Sequence, residues 1–299
     1  MTLEENLISF LDNYNSLNAA CVDELDEDPS PLEFMRYVAV NRPFVIRKGA
    51  KHWDATEKWN TNYLEAVMGD TNVQVATTPL GNADAILTIN GSEDLFVEPL
   101  EKQEPFFEVL QHIVKNGRGE LPGPVKYLQT QNDNLREEYA PLFDDVPDSI
   151  PFARIALQKE PDAVNFWLGN QKSVTALHKD NYQNIYAQIR GKKHFIMLPP
   201  VSAPAMDEKE LPLARYEQGE GAKDDFGLEA VVVQPEETVP VPTWDPLTDQ
   251  LPPNVFGKHV KSLRVTLSEG DMMYLPAMWY HHVRQSAGEE GFNCSVNYW

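Results

Sequence analysis

Thr175-Ala-Leu-His178-Lys-Asp180 sets a histidine and a carboxylate two residues apart, with Asn184 and Lys193 following. Side chains on an extended strand alternate with period two, so His178 and Asp180 would project from the same face. Two such donors and one distant histidine form a two-histidine, one-carboxylate set. A set of that kind holds a borderline cation such as non-haem Fe(II) and leaves coordination positions open. His281-His282, after the strand-like run Met272–Pro276, offers the distant histidine. Adjacent residues of a strand face opposite ways, so only one of the two can reach the metal, and parity does not choose between them. Structural zinc would more often use cysteine or four protein ligands, and neither Cys21 nor Cys294 is near the motif in sequence.

An isolated His-x-Asp is frequent by chance; its neighbours give this one weight. Thr175 precedes His178 on the same run, and Lys193 opens the next strand after Gly191 turns the chain back. A lysine inside a barrel needs an anion, because an unpaired buried charge is costly. A dicarboxylate cosubstrate would supply one; the competing outcome is that Lys193, beside Lys192, snorkels to the surface. Asn297 shares strand parity with Asn293 and Ser295, a polar face opposite Cys294, Val296 and Tyr298. His52, His112, His194 and His259 lie in a loop, a helix, an outward strand position and a mobile insertion, where structural or exposed roles are expected. No glycine-rich phosphate loop, Gly-x-Ser-x-Gly elbow or Cys/His zinc pattern is present, which removes many rival enzymes.

The elements that must position these residues follow from periodicity. The first forty residues read as helical, around Leu7–Leu11 and Leu32–Val38, with further helices near Tyr63–Val67 and over Phe106–Lys115. Short strands are expected at Pro43–Ile46, Val73–Thr77, Ala85–Ile89 and Val125–Gln129. They then crowd: Val164–Leu168, Ser173–His178, Ile185–Arg190, Lys193–Leu198, Leu263–Leu267, Met272–Leu275, His281–Gln285 and Asn293–Trp299. Residues 201–260, rich in proline and acid, read as a long loop-like insertion. The expected fold is mainly β: a double-stranded β-helix, that is, a jelly-roll or cupin barrel, with N-terminal helices packed outside. Residues 1–120 would form a support region, and 121–299 the barrel with its insertion.

A chain of 299 residues with 42% hydrophobic content has ample material for a core. No apolar run approaches membrane-spanning length, and the start Met1-Thr2-Leu3-Glu4-Glu5 is acidic, so no membrane association is expected. Two cysteines cannot make a disulfide framework, which points to a reducing compartment, cytoplasm or nucleus. The net charge of −21 argues against direct nucleic-acid binding and suits a basic, lysine-bearing protein partner.

Together these residues resemble the Jumonji-C oxygenases, which use Fe(II), 2-oxoglutarate and O2. The phrases that carry the resemblance are Val164-Asn-Phe-Trp-Leu-Gly169, Thr175–Asp180 with Asn184-Ile-Tyr186, Gly191–Ile196, Gly270–Pro276, Trp279-Tyr-His-His282 and Val296–Trp299, with Arg42–Ile46 and Tyr127-Leu-Gln129 ahead of them. The resemblance implies that His178, Asp180 and His281, the first histidine of the pair, are the iron ligands. It implies that Tyr127, Thr175 and Lys193 bind the distal carboxylate of 2-oxoglutarate, and that Asn184 and Asn297 are polar neighbours of that cosubstrate. Within the family the chain resembles most the protein lysyl hydroxylases, whose implied substrates include translation-associated GTPases. In relatives, helices that mediate dimerisation follow the last barrel strand. This sequence stops at Trp299, which leaves dimerisation open.

Three functions compete at this point. The first is a protein lysyl hydroxylase, the second a histone lysine demethylase using the same iron chemistry, and the third a cupin-like binding protein without catalysis. All candidate ligands are present, which counts against the third. The absence of chromatin-reading zinc modules favours the first over the second.

Overall fold

Alternation along the strands from Val164 to Tyr298 sorts them into two facing sheets. The computed structural model describes residues 2–89, 91, 93–219, 226–248 and 250–299. Six strands form one sheet in the order Asp23–Leu25, Phe44–Ile46, Met272–Leu275, Asn184–Arg190, Asn293–Tyr298, Val164–Gly169. The opposing five run Leu263–Leu267, Lys192–Leu198, Tyr280–Ser286, Val174–Lys179, Asn82–Ala83. Successive strands cross between the sheets, as the expected jelly-roll requires. Gly191, at φ 71, makes the tight turn between two of them, and Gly270, at φ 85, makes another; both angles lie in the left-handed region that favours glycine.

The six-stranded sheet is buried on both faces, but the faces differ in chemistry. Outward, Val164, Phe166, Leu168, Ile185, Ala187, Ile189, Cys294 and Val296 join the main apolar core with Phe34, Trp59, Leu110 and Tyr139 from the surrounding helices and turns. Phe34 stands edge-on to Tyr274 at 4.9 Å and to Phe152 at 5.2 Å, fixing helix Pro31–Val40 against the sheet. Inward, the same strands present Asn165, Trp167, Asn184, Tyr186, Gln188, Ser295 and Asn297, nearly all of them polar and all buried. A second apolar cluster, with Phe195, Met197, Leu263, Val265, Met273 and Val283, fills the rest of the barrel interior. The expected polar face of Asn293, Ser295 and Asn297 is therefore the lining of the barrel.

Two helices begin with capping boxes, Thr2 with Glu5 and Ser30 with Glu33, in which side chain and backbone bond reciprocally. Both phrases stand in the sequence as Thr/Ser-x-x-Glu. Helix Phe106–Gly117 buries Phe106, Val109, Leu110, Ile113 and Val114 on one face.

Two expectations need correction. The 201–260 segment is not a loop: it contains strands Glu208–Gln218, Leu228–Val232 and Thr238–Pro242. They form an outer sheet with Glu93–Glu98 and Ala85–Ile89. Residues 220–225 and 249 of that segment lie outside the described residues. Its strands are held by distant pairing, such as Leu213 with Phe96 and Ala214 with Val97. Their exposed charges and prolines hide the period-two signal, because only one face is packed. Nor is His259 in a mobile stretch: its Nδ1 meets Asp12 at 2.9 Å, and its carbonyl accepts a hydrogen bond from Asn15 Nδ2 at 2.6 Å.

The strand Phe44–Ile46, second in the six-stranded sheet, is fastened to the barrel by Asp271. Its carboxylate accepts hydrogen bonds from Arg47 Nη1 at 2.6 Å and from the amides of Lys48 and Ser268, each at 3.0 Å. Asp271 is buried, so Asp271→Ala orphans the amides of Lys48 and Ser268 and removes one of the two carboxylates paired with Arg47, which keeps Glu24 and the Thr266 carbonyl. A loss of about 2–3 kcal/mol is expected from the desolvation of orphaned donors, to be read as a lower midpoint at unchanged slope in urea unfolding.

Candidate metal centre and adjoining chamber

The strands Val174–Lys179 and Tyr280–Ser286 run antiparallel, with His178 directly opposite His281. A bulge lies between Thr175 and His178 and re-aims the end of the first strand. The two imidazole rings sit 4.1 Å apart, centroid to centroid. Each donates or shares a proton from Nδ1 to the carbonyl two residues earlier: His178 to Ala176 at 2.9 Å and His281 to Trp279 at 3.0 Å. With Nδ1–H engaged, the bare lone pair is on Nε2 in both rings. Asp180 Oδ2 lies 3.8 Å from His178 Nε2 and 3.6 Å from His281 Nε2. One donor atom from each residue falls within 4.8 Å of the others.

His281 is enclosed, and burial first, then the proximity of His178, pushes its pKa down to about 4. It is therefore a neutral imidazole at neutral pH, the state a metal ligand needs. Its Nε2 is buried with no hydrogen-bond partner. An orphaned lone pair, a second imidazole nitrogen and a carboxylate oxygen converging on one point fit a nitrogen- and oxygen-liking divalent cation such as Fe(II). Exposure grades across the set: the side chain of His281 is 1% exposed, Asp180 22% and His178 37%. The centre thus has a closed back and an open mouth on the His178 side.

Behind it, Lys193 is buried at 3% exposure, so it does not snorkel. Its Nζ lies 5.3 Å from the Trp167 ring centre and 5.4 Å from that of Tyr186. Among the described residues no carboxylate pairs with it, and burial pushes its pKa down to about 7. Trp167 Nε1 donates to Asn297 Oδ1 at 2.7 Å, and Asn297 Nδ2 donates to Asn184 Oδ1 at 2.9 Å. That leaves Asn184 Nδ2 and Ser295 Oγ buried without partners. Tyr127 is buried and tilts against Trp167, ring centres 6.2 Å apart. Gly169 makes room for it, because a Cβ there would lie 2.6 Å from Tyr127 Cδ2. Thr175 faces inward opposite Val283, whose other neighbour is Phe195, two residues along the strand from Lys193.

The fold thus gathers His178, Asp180 and His281 at one point and links Tyr127, Lys193, Asn297 and Asn184 through Trp167 and Tyr186, with Thr175 on the strand that carries His178. Sequence reasoning missed Trp167 and Tyr186, whose rings flank the Lys193 amine. Trp167 shares parity with Asn165 and Tyr186 with Asn184, the signal that could have placed them inward. It also missed Asp84, which hydrogen-bonds with Gln129 and interacts electrostatically with His178. His282 faces outward and is buried, and its Nδ1 has no hydrogen-bond partner. Its other environment is apolar enough that burial pushes its pKa down to about 4. His112 and His194 have structural partners, Pro124 O for one and Thr266 and Ser286 for the other.

Residues 29–299 match the cupin-like domain family. The human bifunctional peptidase and (3S)-lysyl hydroxylase JMJD7 is 41% identical over 280 residues, 93% of this chain and 83% of the relative. The Arabidopsis thaliana lysine-specific demethylase JMJ32 is 36% identical over 287 residues, covering 93% and 81%. JmjC domain-containing protein E of Dictyostelium discoideum is 32% identical over 318 residues, covering 97% and 90%.

Removing one donor should abolish the metal set without unfolding the barrel. Losing an outer-sphere partner typically weakens metal binding by ten- to hundredfold, so Asp180→Ala or His281→Ala should exceed about hundredfold. Calorimetric titration with Mn(II) measures this, with circular dichroism as the check on folding. Wild-type affinity in either variant would remove that residue from the metal set.

Proposed function

The chain belongs to the cupin-like JmjC family of oxygenases, and we propose that within it this protein is an Fe(II)- and 2-oxoglutarate-dependent hydroxylase of a lysine side chain in a protein. One observation carries the reading: a His-Asp-His donor set shares a barrel interior with Lys193, a buried amine that has no carboxylate of its own. A metal alone would account for the donors. A dicarboxylic cosubstrate accounts for the amine as well.

In this reading His178, Asp180 and His281 hold the iron. Lys193, with Tyr127 and Thr175, binds the distal carboxylate of 2-oxoglutarate, and Asn184 and Asn297 hold its neighbourhood polar and ordered. When bound, the pair supplies an oxidant that places one atom of O2 on a substrate carbon and the other in succinate, as 2-oxoglutarate loses carbon dioxide. The protein contributes position and dryness. The hydrogen bonds to Ala176 and Trp279 lock both imidazoles with Nε2 free, and the apolar cluster around Phe195 and Val283 closes the back. The half-exposed His178 side receives the substrate.

Lysine as the target, at C3 as in the human relative, rests on that 41% identity over most of the chain. The net charge of −21 suits a basic partner. A translation-associated GTPase is the proposed substrate class, and cytoplasm or nucleus the proposed location. The demethylase reading uses the same residues and differs only in product.

Purified protein with Fe(II), 2-oxoglutarate and a lysine-bearing GTPase fragment should form succinate, and the fragment should gain about 16 Da; a demethylase would instead remove about 14 Da from a methylated lysine. Succinate without a mass change would discard the substrate class. No succinate under any condition would favour a non-catalytic cupin-like protein.

The depressed Lys193 pKa gives a pH dependence. In the free protein the amine loses its proton as pH rises through about 7, whereas a bound carboxylate favours the ammonium and raises that pKa. Binding of 2-oxoglutarate therefore takes up a proton above pH 7, and its KM should climb from pH 7 to 9 by up to about tenfold per unit. Lys193→Ala should weaken 2-oxoglutarate and flatten this profile while Mn(II) still binds. A flat wild-type profile would remove Lys193 from the cosubstrate site.

A further inference from the structure

Asp84 is the single residue between two strands of different sheets. Asn82–Ala83 pairs in parallel with the His178 strand, Asn82 with Val174 and Ala83 with Thr175. Ala85–Ile89 then starts the outer sheet against Glu93–Glu98. Between them Asp84 takes a left-handed backbone, φ 55, which aspartate tolerates better than most residues. Parallel strands advance together, so Asp84 follows Ala83 as Ala176 follows Thr175, towards His178 and the open mouth.

The surroundings of this carboxylate are unusual. It is half-buried. Gln129 hydrogen-bonds to it and the His178 ring is close by, while Glu98 and Glu101 act against its ionisation. Burial above all, and then those two acids, push its carboxyl up to about 6. Glu98 is already paired with Arg215 at 2.6 Å. Among the described residues no lysine or arginine pairs with Asp84. A carboxylate withdrawn from water without a cation is costly to keep, and here it follows the two residues that pair with the His178 strand, within electrostatic reach of His178.

We propose that Asp84 receives the ε-ammonium of the substrate lysine, oriented by Gln129, and so selects lysine over uncharged side chains. This rests on the lysyl hydroxylase reading above. The chemistry fits the placement: a lysine attacked at C3 carries its ammonium roughly 5 Å beyond the reacting carbon, given ordinary bond lengths. The ammonium receptor must therefore stand beside the metal ligands, not among them. Asp84 is alongside the strand that carries His178, on the side the substrate enters. It is a specificity residue, not a catalytic one, since it touches neither the reacting carbon nor the metal.

The test is a cycle of two enzymes and two peptides: wild type and Asp84→Asn, each with a lysine-bearing GTPase peptide and its counterpart with norleucine at the target. Asparagine keeps the size and tolerates the left-handed backbone, and norleucine keeps the methylenes and loses the charge. Wild type should prefer lysine over norleucine by about ten- to hundredfold in kcat/KM, the worth of one charge-assisted hydrogen bond. In Asp84→Asn that ratio should fall to near unity, mainly through KM for the lysine peptide. A merely structural role would lower both peptides together and leave the ratio intact, and that result would overturn the assignment. So would a wild type indifferent to the change. A wild type that consumes 2-oxoglutarate but hydroxylates neither peptide would overturn the lysyl reading, and the Asp84 assignment with it.

Discussion

The site depends on one register: the antiparallel pairing that sets His178 opposite His281. In a strand pair buried on one face, a slip of one residue turns every side chain over. Here it would exchange His281 for His282 and carry Val283 and Gln285 out of the barrel. The register is pinned from both sides. On one, Lys192–Leu198 pairs with the His281 strand along seven consecutive positions, from Lys192 opposite Ser286 to Leu198 opposite Tyr280. On the other, the bulge after Thr175 absorbs the irregularity that the His178 end requires. The apolar side chains that fill the interior, Phe195, Met197, Val265 and Val283, are thus also what holds the metal donors in place. Packing and chemistry are fixed by the same pairings.

A second constraint is the inversion of the usual order in the six-stranded sheet. Its outward face is the more apolar one and meets the helices; its inward face carries Asn165, Asn184, Gln188, Ser295 and Asn297. Buried amides are expensive unless bonded. Part of the network is closed, through Trp167, Asn297 and Asn184. Asn165 Nδ2, Asn184 Nδ2, Gln188 Oε1 and Ser295 Oγ are buried without a hydrogen-bond partner among the described residues. A lining that is polar, ordered and incompletely bonded is suited to a polar guest, and the N-terminal helices supply the stability that such a lining does not.

Much of this was legible in the chain. His178, Asp180, Gly191 and Lys193 are close together and lie on strongly periodic strands, so local pattern was enough to place them. The eight barrel strands from Val164 onwards are rich in apolar and β-branched or aromatic residues, because most of their positions are buried. Choosing His281 over His282 needed the resemblance, since both are buried and parity is symmetric until the register is known. What stayed hidden has a common cause: it depends on distant pairing. The strands at Glu208–Gln218 and Glu93–Glu98 exist because they pair with each other across more than a hundred residues of sequence. Glu208, Lys209, Glu210 and Pro212 carry no alternation that announces a strand. Asp84 is hidden for the same reason: its place beside the His178 strand comes from a two-residue parallel pairing that no local signal marks.

The net charge of −21 opposes the approach of a dianionic cosubstrate, and magnitudes decide how much. Surface carboxylates act through water and salt, and their field decays over a Debye length of about 8 Å at physiological ionic strength. Lys193 acts at contact inside the barrel, where a unit charge pair at an effective dielectric near 20 is worth about 4 kcal/mol at 4 Å. One enclosed cation therefore outweighs a diffuse acidic surface for a ligand that reaches the chamber. The same surface then works the other way at the mouth. There the side chains are partly wet, the acids Asp84, Glu98 and Glu101 are near one another, and a cationic partner gains from the field that the cosubstrate has already passed. A cation at the back and carboxylates at the front give the barrel a polarity, and under the proposed function that polarity would sort a dicarboxylate to the closed end and a basic substrate to the open one.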